Sequence, residues 1–265
     1  MKHSGAMRLN TAVAWIMLFF LVAPAFIAIP VSLTSKTFLS MPYEGLSLRH
    51  YEKLFNSPEW LSSFAQSTII AFSTMCLATS LGTLGAVGLW RISSKLGEVI
   101  RALLLLPLIV PPIITAMAFY RTFVPLGLID SMTGLILAHT VLAAPLVLIT
   151  VSASLAGFDV KLEHASLSLG ASRWTTFQRI IIPSIRPGIL AGAVFAFISS
   201  WDEIVVTLFL SKFTVYTLPR RMWNGIRENT DPTVAAAAVI LLVVTTFSFL
   251  IWSLIQRKKV YSGRN

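Results

Sequence analysis

The sequence predicts an all-α membrane protein with six transmembrane helices and both termini in the cytoplasm. One observation behind this is composition. Of 265 residues, 55% are hydrophobic and 12% charged, with a mean hydropathy of +0.78, whereas a soluble domain carries about 25% charged residues. Another is that the apolar residues gather into six runs, at 11–33, 63–90, 102–120, 131–155, 188–211 and 233–256. A helix needs about 20 such residues to cross a hydrocarbon core about 30 Å thick. The last is the distribution of Lys and Arg. With six spans both termini share one face, which carries 13 of them (Lys2, Arg8, Arg91, Lys95, Arg101, Lys161, Arg173, Arg179, Arg186, Arg257, Lys258, Lys259 and Arg264), against 8 on the other (Lys36, Arg49, Lys53, Arg121, Lys212, Arg220, Arg221 and Arg227). The positive-inside rule assigns the richer face to the cytoplasm. The formal charge of +10 is thereby accounted for as a topology signal and not as a nucleic-acid footprint.

The first span, 11–33, exceeds a signal peptide in length and lacks a small-residue cleavage site, and Pro24 and Pro30 are expected to bend its outer half. The outer loop that follows contains an amphipathic stretch, 46–61, whose Tyr51, Phe55 and Trp60 suit a membrane interface. In the second span Ala78, Gly82, Gly85 and Gly88 form a small-residue face, which serves either a subunit contact or packing within the chain. Cys76, the single cysteine, is expected to be plain packing, and it excludes both an intrachain disulfide and a cysteine metal cluster. A basic inner loop, 91–101, precedes the third span, where Pro107 and the pair Pro111-Pro112 require a kink or local unwinding. Backbone carbonyls freed in this way need a partner or a wet cavity, so the helix is a candidate lining for a translocation path, with a static kink as the alternative. In the fourth span, His139 is read first as a helix-to-helix hydrogen bond, with contact to the transported substrate as the alternative. A short helix at 218–226 is expected in the last outer loop.

The longest polar interruption on the cytoplasmic side is the loop 156–187. Its first helical piece stops at Gly170, a residue suited to a left-handed terminator. A second begins behind Ser172, a good N-cap. Trp174, Phe177, Ile180 and Ile181 recur at helical spacing as an apolar face, Arg173, Thr176 and Arg179 mark a polar one, and Pro183 and Pro187 are expected to close the segment. Such an amphipathic helix reads either as a docking knob for another protein or as a helix lying on the membrane surface.

Two acids remain inside a span, Asp202 and Glu203, next to Trp201. A buried carboxylate costs about 2.5–3.5 kcal/mol even on a lenient insertion scale. On a continuous helix Asp202 would sit about 21 Å past Gly188, with neighbouring side chains about 100° apart. One acid is therefore expected to line a path and the other to meet a neighbouring helix. The alternative is an intersubunit salt bridge, or a hydrogen bond to a break in the backbone. No catalytic set is present: no Walker-type phosphate loop, no HExxH helix and no nucleophile elbow.

The loop resembles the coupling segment of the membrane subunits of bacterial ABC importers, whose pattern is Glu-Ala-Ala, three residues, Gly, nine residues and Ile-x-Leu-Pro. Here His164-Ala165-Ser166 is followed by three residues and Gly170, and nine more lead to Ile180-Ile181-Ile182-Pro183. The departure is His164 in place of Glu, with Glu163 just before it. The resemblance extends through 102–120, 134–159, 196–210 and 217–238, and is greatest to the second permease subunit of polyamine (spermidine/putrescine) importers. It implies a type I ABC importer permease fold in one transmembrane domain over 1–265, with no enzymatic activity and no cofactor of its own. ATP and Mg would sit on two copies of a partner ATPase, beside a second permease subunit and a periplasmic binding protein, all at the bacterial inner membrane. It implies ATPase docking through Glu163, His164, Ala165, Ser166, Gly170, Ala171, Arg173, Trp174, Phe177 and Pro183, and a substrate path past Asp202, Glu203, Trp201, Pro111, Pro112 and Tyr120. Other cargoes of the same family (an opine, an aminophosphonate, an iron chelate or thiamine) stay open, as does an ion-coupled secondary transporter. No internal repeat supports the last of these.

Overall fold

The computed structural model describes residues 3–92, 94–227 and 231–262. Lys2 and Arg264, used above for charge counting, lie outside the described residues, as do the side chains of Arg8, Pro24, Arg257, Lys258 and Lys259. Every regular element described is helical: α1 (His3–Ser32), α2 (Arg49–Asn56), α3 (Pro58–Trp90), α4 (Lys95–Ile109), α5 (Pro112–Phe123), α6 (Met132–Ala156), α7 (Val160–Ser168), α8 (Arg173–Thr176), a π-turn (Phe177–Ile181), α9 (Ile182–Trp201), α10 (Val205–Leu210), α11 (Leu218–Arg227) and α12 (Thr233–Ser262). Three continuous helices are long and apolar enough to cross a membrane: Pro58–Trp90, Met132–Ala156 and Arg173–Trp201. The number rises to five if two bent pairs, Leu9–Ala23 with Ala25–Ser32 and Lys95–Ile109 with Pro112–Phe123, each make one span.

The chain forms two compact units, Met1–Leu61 with Arg221–Asn265, and Ser62–Arg220. In the first, α12 packs on α1 and α2. Leu54 of α2 is buried, the Tyr51 and Ser32 hydroxyls are 2.7 Å apart, and Lys53 meets Asp231 at 2.7 Å. Trp60 departs from the sequence expectation. It belongs to the first turn of α3, beyond the amphipathic helix, and is buried.

The second unit is organised on α6. The Ser131 side chain accepts the Gly134 N–H at 3.0 Å and starts the helix. Its principal partner is α9, which approaches closely because Gly188 lies against it: a Cβ there would stand 2.3 Å from Ser154 Oγ and 2.6 Å from the Thr150 carbonyl oxygen. Ala78, Ala86, Val147, Val151, Ile181, Ile185 and Ala196 fill one apolar core. Ile70, Ala116, Phe123, Leu135, Ala138, Val206 and Leu210 fill another. The small-residue face of α3 serves the chain itself at Gly82, where a Cβ would stand 2.7 Å from Val147 Cβ. Cys76, expected in packing, is exposed.

Two expectations about helix continuity are corrected. Pro183 and Pro187 do not close the segment 156–187. Both lie inside a helical run from Arg173 to Trp201. A proline ring clashes with the carbonyl four residues earlier and supplies no N–H; the π-turn at Phe177–Ile181, directly before Pro183, absorbs that mismatch by widening the helix. The fifth apolar run, in turn, is not one helix. It stops at Trp201 and resumes as α10 at Val205. The third run breaks more sharply than a kink, with α4 and α5 meeting at 103° around Val110 and Pro111. The basic loop expected over 91–101 is correspondingly shorter, since α4 begins at Lys95.

Candidate functional site: a two-helix elbow and a broken fifth apolar run

The predicted coupling residues form an elbow. Asp159 caps α7 by accepting the Lys161 N–H at 3.0 Å, and Ser172 caps α8 by accepting the Thr175 N–H at 3.1 Å. Between them Gly170 takes φ +85°, a left-handed conformation that a residue with a Cβ adopts only at a cost. The two helices are tied by Ser166 and Thr176, whose hydroxyls are 2.9 Å apart. Thr176, expected on a polar outer face, is therefore buried.

Glu163 is largely covered and meets Arg91 at 2.9 Å, so the elbow is linked to the end of α3. Glu163 is thus the side chain turned toward α3, while His164 and Ala165 are exposed. Trp174 is 62% exposed and stacks on Phe177 at 5.5 Å. Phe177 packs against the first core cluster. Arg173 and Pro183 are exposed and Ala171 is half-buried. The result is an elbow anchored through Phe177, Ile181 and Glu163, with a bulky aromatic held outward on a rigid base.

At the break in the fifth run, the Asp202 N–H donates to the Ile198 carbonyl at 3.0 Å and ends α9. Trp201 stacks on Phe197 at 5.7 Å. The two acids then diverge in role. Asp202 is exposed. Glu203 turns back on the chain, its Oε1 accepting the Val206 N–H at 2.9 Å at the start of α10. This is the hydrogen bond to a backbone break that the sequence left as an alternative. A helix N-terminus favours a carboxylate in that position.

Pro111, Pro112 and Tyr120 lie at and beyond the other break and are exposed. Helix α5, which carries Pro112 and Tyr120, packs on α10 through the cluster containing Ala116, Phe123, Val206 and Leu210. The segments following the two breaks are neighbours.

Sequence reasoning missed four participants. Arg91 holds Glu163, the Ser200 and Thr207 hydroxyls engage His139, and Asp130 gathers the backbone of residues 212–215. Each partner lies far away in sequence, so no local spacing could have signalled the pairing.

The sequence profile of the binding-protein-dependent transport system inner membrane component family matches residues 78–261. This chain belongs to that family. Over 245 residues it is 30% identical to the spermidine/putrescine transport system permease protein PotC of Haemophilus influenzae, covering 91% of this chain and 95% of that one. Over 246 residues it is 30% identical to the putrescine transport system permease protein PotI of Escherichia coli, covering 90% and 87%. Among solved structures, a bacterial ABC transporter that imports the acidic polysaccharide alginate superposes with a TM-score of 0.73 at 13% identity, over 97% of both chains. The fold is thus that of an ABC importer permease, and the family has no intrinsic cofactor. Among the described residues no three His, Cys, Asp or Glu side chains converge on a metal-sized site.

Proposed function

We propose that this chain is one permease subunit of an ATP-driven importer that moves a polyamine, putrescine or spermidine, from a periplasmic binding protein to the cytoplasm. It crosses the bacterial inner membrane six times as a single transmembrane domain, with both termini inside. A second permease subunit of similar fold stands beside it. Two copies of a cytoplasmic ATPase bind ATP and Mg, and the elbow of α7 and α8 docks on one of them through Trp174 and the residues around Gly170. Closure of the ATPase dimer pushes the elbow, and the push passes along the continuous run from Arg173 to Trp201 to the break at Asp202.

The observation that carries this reading is the exposed Asp202 carboxylate at a helix break inside an otherwise apolar span. An exposed carboxylate in that position is costly in lipid and favourable beside a polycation. Kinship with permeases for spermidine and putrescine supports the same cargo class. Trp201, Pro111, Pro112 and Tyr120 share the path, and Glu203 contributes by capping α10.

The test is uptake of labelled putrescine and spermidine by cells that express the full transporter, with wild-type chain and with Asp202→Asn. ATP-dependent uptake that falls at least tenfold in the variant is the expected result. Unchanged uptake in the variant removes Asp202 from the path but keeps the cargo. No polyamine uptake, with ATPase still co-purifying, moves the cargo to the opine, aminophosphonate, iron-chelate or thiamine relatives.

A further inference from the structure

His139 is fully enclosed in α6, yet both of its ring nitrogens are engaged by the two pieces of the broken fifth span. Nδ1 lies 2.9 Å from Ser200 Oγ, on the last turn of α9. Nε2 lies 3.3 Å from Thr207 Oγ1, on α10. The hydroxyl of Thr207 spends its proton on the Glu203 carbonyl, 2.9 Å away. Its oxygen is therefore left to accept, which makes Nε2 the donor. Nδ1 then accepts from the Ser200 hydroxyl. One imidazole thus uses its donor and its acceptor on opposite sides of a gap only three residues long, Asp202 to Ile204.

We infer that His139 is the positioning residue of the fifth-span break: it pins the end of α9 and the start of α10 to α6 and so fixes where the Asp202 carboxylate stands. It touches no cargo. Its effect is transmitted through Ser200, two residues before Asp202, and through Thr207 and the Glu203 carbonyl. Burial makes the pin costly to remove, because an apolar replacement takes the imidazole from the enclosed Ser200 hydroxyl and leaves Thr207 only its bond to the Glu203 carbonyl. The break has no other hydrogen-bonded link to α6 among the described residues whose bonds are resolved.

The inference rests on the importer reading and deepens it at the same site, so the test separates the two. The assembled transporter, with its ATPases and binding protein, is reconstituted in liposomes carrying wild-type chain, His139→Leu, His139→Gln or Asp202→Asn. Cargo uptake and ATP hydrolysis are measured on the same vesicles. A Gln amide places its donor near the position of Nε2 and keeps the Thr207 half of the pin.

The expected result for His139→Leu is uptake reduced about tenfold with ATP hydrolysis within about twofold of wild type, a loss of coupling. His139→Gln should recover most of the uptake. Wild-type uptake in His139→Leu overturns the inference. So does a parallel loss of uptake, hydrolysis and assembly that His139→Gln does not relieve, since that pattern marks a residue needed only for folding. If Asp202→Asn is neutral while His139→Leu uncouples, the cation-path reading of Asp202 fails and the pin stands.

Discussion

The carboxylate of Asp130 accepts the backbone N–H of Thr214 at 2.9 Å across 84 residues of sequence. Three neighbouring amides join it, from Lys212 at 2.8 Å, Phe213 at 3.1 Å and Val215 at 3.3 Å. The Asp130 N–H donates in return to the Leu210 carbonyl at 2.7 Å, at the end of α10. Asp130 holds this position with a φ of +57°, a conformation Asp tolerates better than most residues. The clasp fixes the far end of α10 while Glu203 and His139 fix the near end. A six-residue helix, too short to persist by itself, is thereby held at both termini.

Loss of the clasp should therefore loosen α10. Burial pushes the Asp130 carboxyl up, but the amides of Lys212, Thr214, Phe213 and Val215 outweigh it and hold the group well below the usual carboxylate range. A lowered folded-state value means that the stabilisation is complete above the unfolded value near 3.8 and disappears only as pH falls through the lower folded one. The contribution should be flat between about pH 5 and 8. Asp130→Ala should lower the thermal stability of the detergent-solubilised complex by roughly 1–3 kcal/mol at every pH in that window. Asp130→Asn should fall between, because its amide nitrogen cannot accept. Melting followed by tryptophan fluorescence at about pH 5, 6.5 and 8 checks both statements.

The ion pair between Arg91 and Glu163, 2.9 Å apart, joins the elbow to α3 with Arg91 42% and Glu163 12% exposed. A partly exposed pair of this kind contributes about 0.2–1 kcal/mol, too little to govern folding. Its larger effect should be on coupling, because it sets the angle at which the elbow is presented. Glu163→Gln and Arg91→Gln should each leave insertion intact and reduce uptake per ATP several-fold. The exchanged pair Arg91→Glu with Glu163→Arg should recover part of it. Uptake and hydrolysis measured together distinguish a coupling effect from a loss of protein.

The parts of this arrangement visible in the sequence are those with local signals. Hydropathy marks the apolar runs, and the spacing from His164 through Gly170 to Pro183 identifies the elbow. The rest depends on partners remote in sequence. His139 meets Ser200 across 61 residues, and Arg91 meets Glu163 across 72. The break after Trp201 is equally hidden, because the run 188–211 is apolar on both sides of the acids and period alone reads it as one helix. Pro183 and Pro187 misled in the other direction. Proline usually ends a helix, yet this one continues through both, with a π-turn just before Pro183.

Close packing of α6 and α9 yields a contrast between two glycines. At Gly188 a Cβ would meet Ser154 Oγ at 2.3 Å and the Thr150 carbonyl at 2.6 Å, whereas at Gly88 nothing lies within 4 Å. A backbone carbonyl cannot move aside as a flexible side chain can. Gly188→Val should therefore force the helices apart and abolish recovery of folded protein. Gly88→Ala should be neutral or stabilising, since Ala exceeds Gly by about 1 kcal/mol in helix propensity. Yields of monodisperse protein on size exclusion after extraction check this. Equal loss for both variants would place the α3 face at Gly88 against something outside this chain.

Gly170 tests the elbow by a different route, because nothing lies within 4 Å of a Cβ there and only its φ of +85° resists substitution. A β-branched residue in the left-handed region costs roughly 1–2 kcal/mol. The chain can relieve that strain by turning α8 relative to α7, which would part the Ser166 and Thr176 hydroxyls, now 2.9 Å apart. Gly170→Val should thus leave membrane insertion and melting nearly unchanged, reduce ATPase co-purification and abolish uptake. Gly170→Asn, which enters the left-handed region more readily, should retain much of both. The decisive measurement is the amount of ATPase retained per permease after affinity purification, alongside uptake. A Val variant that keeps its ATPase and transports normally would show that the turn at Gly170 is not where the ATPase reads the elbow.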